Sequence, residues 1–310
     1  MKLAFIFPGQ GSQHVGMGKS LSENFPVARK VYEDASSVIG YDIAKLSFEG
    51  PKEELDKTFR TQPCLLTASI AALRCLEEKG ISASIVAGHS LGEYSALVAA
   101  GVLQFKDAVT LTERRGVFMQ QAVPEGKGLM AAILGLGRER VDAVCLSVSS
   151  GYAAPANYNC PGQIVIAGER QAVEEAITLA KEAGAKRAVP LAVSVPSHST
   201  LMVDASNRLA GALKDIRFNE PDIPLVNNAD AMFLNTVDSI KASLLKQLNS
   251  PLLWEDSMRT IIDSGVDAFI EVGPGKILSG LLKRIDASAV CHHVEDMASF
   301  NKTLDALKGK

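Results

Sequence analysis

No stretch of this chain is long and apolar enough to read as a membrane span. The richest, Ala96–Leu103, is closed off by Glu93 and Lys106 and falls well short of the ~18 residues a span needs. The opening run Met1–Phe7 stops at Pro8-Gly9-Gln10-Gly11, too short for a signal-peptide core and without a small-residue cleavage site, so it reads as a first buried strand. Cysteine is sparse: the five residues Cys64, Cys75, Cys145, Cys160 and Cys291 are odd in number and contain no C-x-x-C pair. They indicate neither a disulfide framework nor a thiolate metal site, and they suit the reduced thiols of a cytoplasmic protein. Cys160, in Asn-Cys-Pro-Gly, reads as a turn residue. The histidines lack ligand spacing, and the adjacent His292 and His293 point their rings apart, so no metal is expected. A formal net charge of −3 with no block of like charge removes the electrostatic case for nucleic acid or an anionic membrane.

Short apolar segments alternate instead with amphipathic ones, the pattern of an α/β fold. Strands are expected at 3–7, 84–87, 225–228, 268–272 and 289–294. Helices are expected at 61–79, 91–100, 105–123, 198–215, 254–264 and 276–285. The middle has its own order: strand 128–134, helix 138–149, strands 153–157 and 163–167, helix 171–183 and strand 186–193. That βαββαβ order is the ferredoxin-like unit. The chain therefore reads as a large α/β domain of residues 1–125 and 195–310, interrupted by a ferredoxin-like small domain of residues 126–194. The breaks fall near Pro124-Glu125-Gly126 and Val195-Pro196, both rich in chain punctuation. A cleft between the two parts is the expected substrate site.

Gly88-His89-Ser90-Leu91-Gly92 fits G-x-S-x-G between an apolar strand and a helix. A nucleophile elbow needs that frame, with small residues two before and two after the serine. The turn exposes the hydroxyl at a helix N-terminus, where free N–H groups favour developing negative charge. A merely structural turn reads the same in five letters. A nucleophilic serine needs a base, and His198 stands in Val195-Pro196-Ser197-His198-Ser199 at the start of a helical pattern. There the helix N-terminus would keep the imidazole neutral; a plain helix-start residue fits as well. Ser90, Asp267 and His292 or His293 follow the α/β-hydrolase order instead and would make the chain a serine hydrolase or thioesterase.

In the 105–123 helix, Arg115 shares a stripe with Ala108, Leu111, Phe118, Met119 and Ala122, whereas Arg114 sits beside Asp107, Thr110 and Gln121. Arg114 is expected in solvent and Arg115 inside. An inward guanidinium cannot shed its charge and needs an anion. That anion is either an internal Asp or Glu, or a substrate carboxylate held by two parallel hydrogen bonds. In the second case a substrate lacking the carboxylate leaves a buried charge unpaired. The loss is ~3–5 kcal/mol, or roughly two to three and a half decades in rate, enough to separate an acyl group that carries a carboxylate from one that does not.

Six segments occur in a telling order. They are Phe7-Pro8-Gly9-Gln10-Gly11-Ser12-Gln13, Gly88-His89-Ser90-Leu91-Gly92-Glu93-Tyr94-Ser95, Asn157-Tyr158-Asn159-Cys160-Pro161-Gly162, Val195-Pro196-Ser197-His198, Gln247…Pro251…Trp254 and Glu271-Val272-Gly273-Pro274-Gly275. Together, over about residues 3–285, the chain resembles the bacterial malonyl-CoA:acyl-carrier-protein transacylases. The resemblance implies that Ser90 is the nucleophile and His198 its base, in a dyad without a carboxylate. It implies that the main-chain carbonyl of Gln247 orients the imidazole, that the N–H groups of Gln10 and Leu91 form the oxyanion hole, and that Arg115 holds the malonyl carboxylate. The implied fold is an α/β-hydrolase-like large domain with a parallel central sheet, plus the ferredoxin-like small one. The implied reaction is a ping-pong transfer of malonyl from malonyl-CoA to the phosphopantetheine thiol of acyl carrier protein for fatty acid synthesis. It calls for no metal or redox cofactor, and nothing demands more than a monomer.

Two departures stand out. Ser199 occupies a position where some relatives carry cysteine. The segment ending in Ser197-His198 is neither of the tetrapeptides of modular polyketide acyltransferases and looks like the fatty-acid-synthesis form, with a polyketide pathway as the alternative. Because the carrier protein is acidic, Lys186-Arg187 and Lys283-Arg284 are candidate docking pairs; ordinary solvated charges are the plain alternative.

Overall fold

Leu3–Phe7 forms strand β1, buried on both faces, in a computed structural model that describes residues 1–192 and 195–308. Alternation sends Leu3, Phe5 and Phe7 into one core cluster and Ala4 and Ile6 into another. Five helices follow: α1 (Lys19–Asn24), α2 (Pro26–Ile39), α3 (Ile43–Glu49), α4 (Lys52–Leu55) and α5 (Thr58–Glu78). Next come β2 (Ile85–Gly88), α6 (Gly92–Ala99) and α7 (Phe105–Ala122). The middle consists of β3 (Gly128–Leu134), α8 (Arg138–Leu146), β4 (Ala153–Cys160), β5 (Gln163–Glu169), α9 (Arg170–Glu182) and β6 (Arg187–Pro190). The remainder is α10 (Val203–Leu213), β7 (Leu225–Val226), β8 (Phe233–Leu234), α11 (Val237–Asn249), α12 (Trp254–Asp263), β9 (Ala268–Val272), α13 (Ile277–Ile285), β10 (Cys291–Val294) and α14 (Met297–Lys308).

The strands form two sheets. The larger runs β10-β9-β1-β2-β7-β8, parallel except for β8, which pairs antiparallel with β7. Its central strands are continuous apolar runs because helices cover both faces. Residues of α5, α6, α7 and α10 pack on one side, and residues of α12 and α13 on the other. The smaller sheet runs β4-β5-β3-β6, all antiparallel, the strand order of a ferredoxin-like βαββαβ unit. One face of it packs on α8 and α9 through Ile133, Ile166, Val141, Val173 and Ile177. Its other face presents Met130, Ala132, Val165 and Leu191 towards the large sheet.

Several ties join the two parts. Leu252 pairs with β4 through main-chain bonds, its N–H donating to Ala156 O at 2.8 Å and its carbonyl accepting from Tyr158 N–H at 2.9 Å. Arg138 of α8 donates to both carboxylate oxygens of Asp256 at 2.8 and 2.9 Å and to Glu255 at 3.3 Å. Arg284 of α13 donates to Gln163 Oε1 at 2.5 Å and Pro161 O at 3.1 Å.

Several expectations are corrected. The helix expected from His198 begins later, with a 3₁₀ turn at Thr200–Met202 and then α10. The strand expected at 225–228 stops at Val226: Asn227 N–H donates to Met232 O and Asn228 N–H to the Glu93 side chain instead of continuing the parallel pairing with β2. Cys160 is no turn residue: it ends β4 and is buried in the second core cluster. The strand expected at 186–193 is Arg187–Pro190; its last residue Val193, and Ser194, where the small domain was expected to end, lie outside the described residues. No expectation covered α1–α4, α11 or α14. Among the described residues no helix is long and apolar enough to cross a membrane, and no group of three or more His, Cys, Asp or Glu is placed to hold a metal ion.

Trp254, fully buried at the start of α12, meets the His89 ring edge-on with centroids 5.3 Å apart. Trp254→Ala is expected to lower stability by ~3–5 kcal/mol, read from urea unfolding, whereas a loss below ~1 kcal/mol would mean that this contact does not brace the elbow.

Candidate active site

Ser90 lies between β2 and α6 with a left-handed backbone, φ 52°. A non-glycine residue held there stores ~1–3 kcal/mol of strain, which surrounding structure must offset. The turn is tight enough that a Cβ on Gly88 would come within 1.9 Å of the Gly92 main chain. One on Gly92 would come within 2.0 Å of Phe7 O. Only glycine fits at either place, which is the physical content of the G-x-S-x-G spacing. Asn228, beyond β7, clamps the turn from below: its Oδ1 accepts from Ser90 N at 2.7 Å and its Nδ2 donates to Gly88 O at 2.7 Å.

His198 reaches the serine from the segment before α10, also with positive φ, 60°. Its Nδ1 lies 2.7 Å from the main-chain carbonyl of Gln247, and its Nε2 lies 2.9 Å from Ser90 Oγ. A carbonyl oxygen can only accept, so Nδ1 carries the hydrogen and Nε2 offers its lone pair to the serine hydroxyl. Burial lowers the His198 pKa to about 3, helped by the positive charge of Arg115 and opposed by the bond to Gln247. The neutral state expected from a helix terminus thus arises mainly from desolvation, since the helix starts further on.

Arg115 is 1 % exposed, and Arg114 beside it is exposed. Its guanidinium donates to Gln62 Oε1 at 2.8 Å, Gln247 Oε1 at 2.9 Å and Ser90 Oγ at 3.2 Å. All three acceptors are neutral. Among the described residues it forms no ion pair with a carboxylate; Glu93 is reached only through the Gln247 amide. Burial presses the Arg115 pKa down, and Tyr94 and Glu93 push it back up. Of the two partners open to this residue, the internal acid is not in contact with it.

Above Ser90, a cavity of about 280 Å³ opens between the two sheets. Gln10, Leu91, Arg115 and His198 line it from the large sheet's side, and Met130, Val165 and Leu191 from the small sheet. Among the described residues neither Gln10 N–H nor Leu91 N–H donates to a main-chain or side-chain acceptor. Two unoccupied donors beside a serine hydroxyl can stabilise an oxyanion.

The hydrolase constellation does not assemble. Two strands, β9 and β1, separate β10, which carries His292 and His293, from β2, which leads to Ser90. At the spacing of adjacent strands that is ~14 Å. Asp267 precedes β9 and accepts from Lys2 N at 2.6 Å, at the end of the sheet opposite Ser90. Of the candidate docking pairs, Lys186, Arg187, Lys283 and Arg284 are all exposed, and Arg284 is already engaged with the small sheet. Gln62, Glu93 and Asn228 were not singled out by sequence. Glu93 offered one signal: an acid standing amid the small and apolar residues of the elbow helix.

A serine hydroxyl bonded to a neutral imidazole, with unoccupied N–H donors and a buried cation beside it, is equipment for acyl transfer through a covalent ester. Family comparison agrees: the profile described as "Acyl transferase domain" matches residues 4–299. The chain is 50% identical over 286 residues to the malonyl CoA-acyl carrier protein transacylase of Escherichia coli strain K12, covering 92% of this chain and 93% of that protein. Identity to the Bacillus subtilis transacylase is 47% over 309 residues, covering 99% and 98%. Among solved structures, an acyl carrier protein S-malonyltransferase from Vibrio cholerae superposes with TM-score 0.95 at 48% identity, covering 98% and 100%. A malonyl-transacylase solved in complex with its type II PKS acyl-carrier protein superposes with TM-score 0.97 at 48% identity, covering 99% and 100%. The chain belongs to the acyltransferase family, among the bacterial malonyl-CoA:acyl-carrier-protein transacylases.

The depressed His198 pKa ties stability to pH. Below the unfolded value near 6.5 the unfolded chain takes up a proton that the folded chain refuses until about pH 3. His198 therefore contributes its full stability above pH 6.5 and loses it as pH falls from there towards 3, by up to ~1.4 kcal/mol per unit. Between pH 7 and pH 5, urea unfolding should show wild type losing ~2 kcal/mol more than His198→Gln, since other titrating groups act in both. Equal losses would mean that the folded imidazole titrates normally.

Proposed function

We propose that this protein transfers a malonyl group from malonyl-CoA to the phosphopantetheine thiol of acyl carrier protein through a malonyl ester on Ser90, supplying extender units for fatty acid synthesis. The observation that carries the reading is Arg115, a buried cation 3.2 Å from Ser90 Oγ with neutral partners only. Such a group has capacity for one more anion, at the distance where the far end of a three-carbon diacid would lie once the near end is bound to the serine.

The steps follow from the geometry. As Ser90 Oγ attacks the thioester carbonyl, His198 Nε2 takes the hydroxyl proton, and the bond from Nδ1 to Gln247 O supports the imidazolium that forms. The N–H groups of Gln10 and Leu91 receive the oxyanion. The C–S bond breaks, His198 returns the proton to the departing CoA thiolate, and the malonyl ester remains. The carrier thiol then gives its proton to His198, attacks the ester and regenerates the serine. Thiol, hydroxyl and imidazole suffice for every bond made and broken, so no cofactor enters the scheme. The small sheet's apolar face towards the large sheet covers the acyl site, which accords with dividing the chain into units of 1–125 with 195–310 and of 126–194. We read the enzyme as a cytoplasmic monomer whose protein partner is the carrier. The relative solved with a polyketide carrier favours a second reading in which the acceptor belongs to a polyketide pathway.

Intact mass spectrometry after mixing with malonyl-CoA tests this reading. Wild type is expected to gain one malonyl group and lose it to added phosphopantetheinylated carrier protein, and Ser90→Ala is expected to gain none. Arg115→Ala should lose roughly two to three and a half decades in acylation by malonyl-CoA and little with acetyl-CoA. An adduct that survives Ser90→Ala, or one released by water as fast as by the carrier thiol, would contradict it.

A further inference from the structure

Beneath the elbow lies a carboxylate that the reaction scheme leaves unused. Glu93, in the first turn of α6, is fully buried. Its Oε2 accepts from Gln247 Nε2 at 2.9 Å and from Asn228 N at 3.1 Å, while its Oε1 has no partner. Gln247 Nε2 also donates to Ser90 O at 3.0 Å, so both amide hydrogens face acceptors. Turned over, the amide would aim its oxygen at a carboxylate and a carbonyl, and its NH₂ at the Arg115 guanidinium. Every contact in that arrangement is repulsive, so the amide is fixed with Oε1 towards Arg115 Nη2, 2.9 Å away.

The same two partners reach the rest of the site. Gln247 holds His198 through its main-chain carbonyl, and Asn228 clamps the Ser90 turn. Glu93 also faces Arg115 as a buried negative charge at one remove, and each acts electrostatically on the other.

We infer that Glu93 is a positioning residue for malonyl selectivity: it locks the Gln247 amide, which in turn aims the Arg115 guanidinium at the acyl carboxylate. This rests on the role proposed above for Arg115. The lock needs an acceptor at Oε2 rather than a charge. Burial pushes the Glu93 pKa up to about 7, against the Gln247 and Asn228 bonds, and a proton placed on the unpartnered Oε1 leaves Oε2 able to accept. Glu93→Gln keeps that acceptor and Glu93→Ala removes it.

The test compares initial rates of covalent acylation by malonyl-CoA and acetyl-CoA in wild type, Glu93→Gln, Glu93→Ala, Arg115→Ala and the Glu93→Ala/Arg115→Ala double variant. Glu93→Gln should retain the malonyl preference, Glu93→Ala should reduce it roughly tenfold or more, and the double variant should be no less selective than Arg115→Ala alone. A folded Glu93→Ala with the wild-type preference, or losses that simply add in the double variant, would overturn the inference. Should Glu93→Ala fail to fold, Gln247→Met removes the same bridge from its other end while leaving the carbonyl under His198. An unaltered preference there overturns it equally. If Arg115→Ala itself keeps the preference, the role given to Arg115 fails first and Glu93 with it.

Discussion

A buried positive charge among neutral acceptors organises this site. Arg115 comes from α7, Gln62 from α5, Gln247 from α11 and Ser90 from the β2–α6 turn, so four separate elements converge on one guanidinium. Desolvating a cation without an anion in contact is unfavourable, and three neutral oxygens recover only part of the loss. Glu93 acts on it only through an intervening amide. The remaining capacity faces the cavity, where the proposed substrate would bring a carboxylate. Stability of the empty site and affinity for the substrate are thus set against each other in the same side chain.

The fold serves that arrangement by holding two sheets at a fixed separation. The parallel sheet delivers the serine at the end of β2 and the glycine-rich loop at the end of adjacent β1, so that Gln10 and Leu91 line one cavity. The antiparallel sheet contributes an apolar roof through Met130, Val165 and Leu191, where water able to attack an ester would be least welcome. Main-chain pairing at Leu252 and the arginine ties at 138 and 284 bind the roof to the base.

Much of this could be read from the chain because the features are local. A fully buried strand such as Leu3–Phe7 is an unbroken apolar run before punctuating residues, Ala268–Val272 is one interrupted only by Glu271, and the βαββαβ order of 128–190 needs only period counting. The elbow is local too, since its glycines answer to contacts within five residues and with β1. The inward face of Arg115 follows from helical spacing alone. What could not be read depends on distance in sequence. Gln62, Asn228 and Gln247 meet Arg115 and Ser90 across 53 to 157 residues of chain, and no period in the sequence carries that information. Which of the two possible partners Arg115 takes is likewise a tertiary fact. Helices α1, α3 and α4 are too short for an apolar stripe to repeat, whereas α2 carries a legible one in Ala28, Val31, Tyr32 and Ala35 that the sequence reading did not use. His198 was placed at a helix start, whereas burial rather than a helix terminus governs its proton.

A crystal structure of the acylated protein, trapped with malonyl-CoA in the absence of carrier, bears most directly on the place of Arg115. Density continuous with Ser90 Oγ, ending in a carboxylate that takes two hydrogen bonds from the Arg115 guanidinium, is the expected result. An ester whose carboxylate turns towards solvent, with Arg115 still held by Gln62 and Gln247 alone, would contradict it.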